Sequence, residues 1–513
     1  MVRPRTVHDV AAGKLCTGCG VCAYLAPDEV RMVDVLDYGR RPLPITPVRN
    51  GTPLDGTPLD GALADGAGVR GAGARSAGAR GVAGGRARGT GAATGGAAAA
   101  IDCCPGVRLG HETSRPAPGE IVELRAAWGP VRAMWEGYAA DPEIRYAGSS
   151  GGAATALAGY CLTGEGMAGV LHVGARADVP YLNETRLSRT RDELLANAGS
   201  RYAPASPCDR LDLIETAEAP CVFIGKPCDV AAVRMARRVR PELDARVGLT
   251  IAIFCAGTPT TQGTLEMLTQ LGVSDPTRLE SVHYRGDGWP GQARARLVDD
   301  PPGRRRELSY ERSWGDILQK HRQWRCYLCA DHTGEFADVA VGDPWYRPTG
   351  DDPGRSLVLA RTERGVRLVE AAIAAGALVL TPVAAEILPA SQPNLLRARG
   401  AVWGRLATLR LAGLMTPRLT HLPMASTWWR HLSTREKLQS TLGTLRRIVR
   451  KRLRRPAVLV QYRPPTRAGS STAARPEAVA RPEAAARSEA TARSEVPTGS
   501  PTAARPEPAR PGD

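Results

Sequence analysis

A low-complexity run from residue 50 to 100 divides a cysteine motif, and this break constrains the fold more than any other feature. The run is almost entirely Gly, Ala, Arg, Thr and Asp, with hardly a large apolar side chain. Such a stretch cannot bury enough apolar surface to offset the entropy of ordering it. It is therefore expected to loop out, disordered, between two parts of one site. Before it stand Cys16, Cys19 and Cys22 in LCTGCGVC, and after it stands Cys104-Pro105. The ARPEA- and ARSEA-like repeats of residues 464–513 are expected to be a disordered tail for the same reason. About 400 residues remain, enough for a sizeable core and one or two domains.

The spacing CxxCxxC brings three thiolates around one cuboidal cluster, and Gly18 and Gly20 let the backbone wrap it closely. In bacterial ferredoxin-type runs the fourth ligand is a cysteine before proline. Cys104 fits that description, with Cys103 as its neighbour. The usual place, a few residues after the third cysteine, holds Ala26-Pro27 here, so the fourth ligand must come from afar. Zinc would suit the same four thiols. A second set comprises Cys326 and Cys329 in WRCYLC, with Cys228 in IGKPCD and Cys255 in IFCAG as partners. Alone, that CxxC pair fits zinc, a redox pair or half a cluster site. Cys228 and Cys255 are either ligands or small buried hydrophobes. Cys161, Cys208 and Cys221 fall on apolar helix, loop and strand positions and are expected to be structural.

Net charge is +16, carried by arginine far more than by the five lysines. A basic surface favours phosphorylated cofactors, acidic proteins or anionic lipid. No recognition motif supports nucleic acid, so none is expected. The start, MVRPRTVHDVAAGKLC, lacks an apolar signal core, and no run of about 18 apolar residues exists. The expectation is a cytoplasmic protein whose twelve cysteines serve metal or redox chemistry rather than disulfides.

The cysteine module is placed at 1–49 plus 101–118, and an α/β domain at 119–395. In that domain 219–225 reads as a strand, 230–239 as a helix and 247–254 as a second strand. This crossover makes the two strands parallel neighbours in one sheet. It puts Cys228 and Cys255 just past strand carboxyl ends, where open α/β sheets bind ligands. Residues 356–380 give strand, turn, helix and strand. A helical basic extension spans 396–463. Its segment 436–455 sets Leu445, Ile448, Val449 and Leu453 at helical spacing among arginines. That segment either packs on its own domain, rests on an anionic membrane surface or meets an acidic partner.

The turn YAGSSGG precedes a helical run, ATALAGYCL. Small residues there let backbone N–H groups of Gly151 and Gly152 approach a phosphate, with Ser149 and Ser150 adding hydroxyls. A plain helix cap explains the turn equally well. Lys226 holds a flavin phosphate, meets a flavin ring edge or is a surface turn residue. HYRGDGWPG (283–291) resembles a loop shaped around a ligand, and Asp343-Pro-Trp345 follows the short strand ADVAVG.

In order along residues 15–347 stand LCTGCGVC, CPG, AGSSGGAATAL, GSRYAPAS, IGKPCDVAAVR, FCAGTP, YRGDGWPG and CYLCADHTGEFADVAVGDPW. Together these resemble the coenzyme F420 hydrogenase/dehydrogenase beta-subunit family of iron–sulfur flavoproteins. Some members oxidise or reduce coenzyme F420, and relatives reduce chlorophyll-type substrates using ferredoxin. The resemblance implies a mixed α/β flavin-binding domain with a small N-terminal ferredoxin-like module. It implies FAD held by Ser149, Ser150, Gly151, Gly152, Ser200, Tyr202 and Lys226, with Lys226 as the candidate catalytic residue. It implies one [4Fe–4S] cluster on Cys228, Cys255, Cys326 and Cys329, and a second on Cys16, Cys19, Cys22 and Cys104. Coenzyme F420 or ferredoxin would be the electron carrier, with a partner oxidoreductase subunit. Two other readings are a ferredoxin-dependent flavin reductase of an organic substrate and a zinc-stabilised scaffold.

Overall fold

The structure is a computed structural model and describes residues 3–45, 48–49, 52–53, 93–346 and 353–465. The 464–513 tail and the 50–100 insertion fall mostly outside these residues. The insertion's last residues are an exception. A helix runs from Ala93 to Asp102, starting before the expected boundary at 101. Its alanines carry the highest intrinsic helix propensity.

An eight-stranded mixed sheet organises the chain. Its strands are β1 (Ala133–Ala139), β2 (Val170–Ala175), β3 (Asn183–Ser188), β4 (Cys221–Gly225), β5 (Val247–Ile253), β6 (Val339–Gly342), β7 (Ser356–Ala360) and β8 (Leu378–Pro382). The spatial order is β8-β1-β7-β6-β5-β4-β2-β3. The pairs β2–β4, β4–β5 and β5–β6 are parallel. The flanking pairs are antiparallel. The expected crossover is present, with the helix Pro227–Arg237 joining parallel β4 and β5.

Both faces of the sheet are buried, so its central strands are apolar throughout rather than alternating. Along β4, Cys221 and Phe223 join one core and Val222 and Ile224 the other. The first core also takes Cys19, Cys22 and Tyr24, so the N-terminal cysteine segment packs on the same sheet face. A three-stranded antiparallel sheet (Leu279–His283, Ala293–Leu297, Glu307–Leu308) carries a further core around Tyr181 and Tyr284.

The basic extension is helical, but in three pieces: Pro393–Leu411, Met424–His431 and Thr434–Arg450. Gly413 takes a left-handed φ of 71° just past the first piece, as helix-ending glycines do. A short strand, Arg418–Thr420, then pairs with Arg108–Gly110. Among the described residues no helix is long and apolar enough to cross a membrane.

Candidate functional site

The carboxyl ends of the four parallel strands open onto a cavity of about 310 Å³. Ligand pockets start near that size. Lys226 follows β4, Phe254 and Cys255 follow β5, and Asp343 follows β6. All four line the cavity, with Ser149, Ser150, Gly152, Ser200 and Tyr202. The predicted cofactor residues are thus gathered in one place, except that Gly151 is turned into the protein.

The glycine turn departs from the expected phosphate cradle. Gly151 N–H donates to Ser356 Oγ at 2.9 Å, and Ser150 Oγ meets the same hydroxyl at 2.9 Å. Ser149 Oγ accepts from Ser200 N. A Cβ on Gly151 would lie 2.7 Å from Gly137 O, so close chain packing already demands glycine there. Gly152 is also strained for any other residue, at φ 72°. What remains free for an anion is the start of the helix Ala153–Thr163. It has no side-chain cap, and Ala153, Ala154 and Thr155 line the cavity. Uncapped N–H groups at a helix start suit phosphate.

Lys226 is not a surface turn residue. Its Nζ donates to Asp229 Oδ2 at 2.6 Å, and its N–H donates to the same oxygen at 3.0 Å. Burial works to lower its pKa, but Asp229 and the nearby Cys228 and Cys255 outweigh burial and hold the ammonium above its ordinary value. The same cavity carries an aromatic wall that no local sequence pattern marks. Tyr310 and Trp345 stack at 5.5 Å, and Tyr202 meets Trp314 at 4.9 Å. The buried Arg285 guanidinium lies 4.9 Å from the Tyr310 ring centre and pairs with Asp343. Trp289 Nε1 donates to that carboxylate at 2.9 Å. The turn-rich 283–291 run signalled a loop, but no local pattern shows which rings it meets.

Cys228, Cys255, Cys326 and Cys329 are half-buried and line one small cavity. Cys255 also lines the large cavity, so the two share a wall. Cys228 sits in the first turn of the helix Pro227–Arg237, whose positive end favours a thiolate. Burial nevertheless pushes Cys228 well above its ordinary value, and Cys255 and Cys329 up to about 12.

Cys16, Cys19, Cys22 and Cys104 are all buried and adjoin one another. Burial first, then the neighbouring thiols, raises Cys22 well above its ordinary value. Cys19 alone is lowered, chiefly by a hydrogen bond from Cys208. Cys208, expected to be structural, therefore sits against this set, and its N–H donates to Cys19 O at 2.9 Å. Cys103 turns away and donates to Met235 O.

Two buried arginines stand between the sets. Arg41 is influenced by both Cys16 and Cys326. Arg325 influences both Cys16 and Cys329. Each Nε is buried with no hydrogen-bond partner among the described residues. An unpartnered buried N–H is costly, and two guanidinium groups beside Cys16, Cys326 and Cys329 suit negative charge at these thiols. Backbone N–H groups also point at sulfur, Gly18 to Cys16 and Thr258 to Cys326, each at 3.3 Å. Among the described residues no three His, Cys, Asp or Glu side chains are arranged for a single metal ion. A mononuclear zinc site draws its thiolates to about 2.3 Å from one point, whereas a cuboidal cluster spreads them over its corners. Each set supplies the four thiols that one [4Fe–4S] cluster takes.

Known proteins match the same region. Residues 134–211 match the family model described as coenzyme F420 hydrogenase/dehydrogenase, beta subunit N-term, and residues 220–386 its C terminus. The beta subunit of coenzyme F420 hydrogenase from Methanosarcina barkeri is 25% identical over 256 residues, covering 47% of this chain and 79% of that one. The beta subunit of F420-dependent formate dehydrogenase 1 from Methanococcus maripaludis is 26% identical over 247 residues, covering 46% of this chain and 58% of that one. A solved chain from the F420-reducing [NiFe] hydrogenase complex of Methanosarcina barkeri aligns at TM-score 0.44 and 18% identity, covering 59% of this chain and 98% of that chain.

Proposed function

This chain belongs to the coenzyme F420 hydrogenase/dehydrogenase beta-subunit family of oxidoreductases, and on that premise we propose that it is an FAD- and iron–sulfur-dependent electron carrier between coenzyme F420 and a partner oxidoreductase subunit. Ferredoxin is the alternative one-electron partner. The carrying observation is the wall at Cys255, which the strand-end cavity and the second thiol set have in common.

When bound, a flavin takes up a hydride and releases electrons singly, and clusters carry single electrons. The chain's own residues divide the remaining work. The uncapped start of the helix Ala153–Thr163 receives the diphosphate. Lys226, kept charged by Asp229, sets a cation on the cavity wall that Cys255 also lines. It would orient and stabilise negative charge there rather than give up its proton. Tyr202, Tyr310, Trp314 and Trp345 offer faces for planar rings and exclude water. Cys228, Cys255, Cys326 and Cys329 would hold one cluster beside the cavity, and Cys16, Cys19, Cys22 and Cys104 would hold the second. Arg41 and Arg325 link the two across the core.

The test is to mix anaerobically purified protein with reduced coenzyme F420 and follow the flavin absorbance. Rapid bleaching is expected, and Lys226→Ala should slow it. A flavin that stays oxidised with reduced F420 but bleaches with reduced ferredoxin moves the assignment to the ferredoxin-dependent class.

A further inference from the structure

The helix Thr434–Arg450 is built on two different faces. Ser440, Thr444 and Ile448 are buried against the body of the protein. Trp428 Nε1 donates to Ser440 Oγ at 2.9 Å, and Lys14 Nζ donates to the carbonyls of Lys451 and Arg452, each at 2.9 Å. The helix is thus anchored at both ends. On its outer face Leu438, Leu442, Leu445 and Val449 are exposed, at 52, 57, 48 and 79%. At 3.6 residues per turn, these four share a stripe about 60° wide. Exposed Trp429 lies beside the first turn, with Lys437 Nζ 5.3 Å from its ring centre. Four large aliphatic side chains in register on the surface mark an interaction site rather than scattered exposure.

Charge decides what covers the stripe. Between Lys437 and Arg463 there are nine Lys and Arg and no Asp or Glu. Arg435, Arg446 and Arg450 are exposed and follow one edge of the stripe. A second copy of the chain would bring these arginines against their own kind. A flat, anionic and apolar surface meets all the observations: aliphatics enter the acyl boundary, arginines meet phosphates, and Trp429 sits at the interface. We infer that residues 429–455 dock this protein in the plane of an anionic membrane, without spanning it.

The experiment uses the full-length protein, purified anaerobically, and vesicle flotation. One vesicle population is phosphatidylcholine alone, and the other contains about a third phosphatidylglycerol. Binding to the anionic vesicles should exceed binding to the neutral ones by at least about tenfold and fall as salt is raised. Trp429 emission should shift to the blue on binding. Leu442→Asp with Val449→Asp should abolish flotation, and Arg446→Glu with Arg450→Glu should weaken it by at least about tenfold. All four positions are exposed, so flavin and iron content should not change. No flotation on anionic vesicles, or flotation unchanged in Leu442→Asp/Val449→Asp, would overturn the inference. So would sedimentation showing a dimer that Leu442→Asp converts to a monomer, or retention of the wild-type stripe only by an acidic protein partner.

Discussion

The two cysteine sets differ in burial and in what adjoins them. The first is enclosed in the core, all four thiols buried, with Cys208 pressed against Cys19. The second is half-buried and shares a wall with the strand-end cavity. The matched family segments, 134–211 and 220–386, contain the second set and nearly all of the cavity lining but not the first set. Under the proposed function the contrast bears on where electrons would enter: the half-buried set beside the cavity would be the exchange point. The enclosed set, whose Cys16 adjoins Arg41 and Arg325, would then serve as an insulated relay.

The largest effect that would break this contrast comes from removing thiols. Cys326→Ser should remove about four of the eight iron atoms expected for two cubane clusters. Flavin content should stay near the wild-type level while transfer to a one-electron acceptor is abolished. Cys104→Ser should remove the other four while F420-dependent flavin bleaching persists. Iron analysis of both variants checks this, and loss of all iron from either one would show that the sets are not independent.

A smaller effect concerns how the second set is anchored. Its loop continues to Glu335, a buried carboxylate paired with Arg399 and bonded to His111 Nε2 at 2.8 Å. Burial opposes its ionisation, but Arg399 and His111 prevail and hold it at about 2, against an ordinary value of 4.5. A carboxylate lowered this far contributes about 3 kcal/mol above its unfolded pKa. That contribution is complete above about pH 4.5 and is lost as pH falls toward 2. Glu335→Gln should therefore destabilise the protein by about 3 kcal/mol at neutral pH, and its denaturation midpoint should vary less between pH 5 and 3. An unchanged acid limb would sever Glu335 from the anchor.

The smallest effect lies between the sets. Arg41→Met removes a buried charge that both feel. It should lower both cluster potentials by tens of millivolts, because a reduced cluster loses a nearby cation. A spectroelectrochemical titration that moves only one potential would place Arg41 with that set alone.

Much of this site is legible in the sequence. The apolar runs around 219–254 predict the parallel crossover, and the Pro-Cys and Cys-Ala-Gly that follow them mark the strand ends. The spacing of Cys16, Cys19 and Cys22 needs no structure. Other parts depend on contacts between distant segments. β1 inserts between β7 and β8, more than 200 residues away in sequence, and no local pattern encodes that pairing. The same holds for Arg41 and Arg325, ordinary arginines until folding buries them between thiols. The glycine turn was legible as a turn. Its donors, however, are spent partly on Ser356, a residue that only the sheet brings near.

The most direct test is the cofactor content of the anaerobically purified chain. The account predicts about eight iron, about eight acid-labile sulfide and one flavin per chain, with a brown visible spectrum that changes on reduction. A colourless protein containing stoichiometric zinc and no flavin would contradict it.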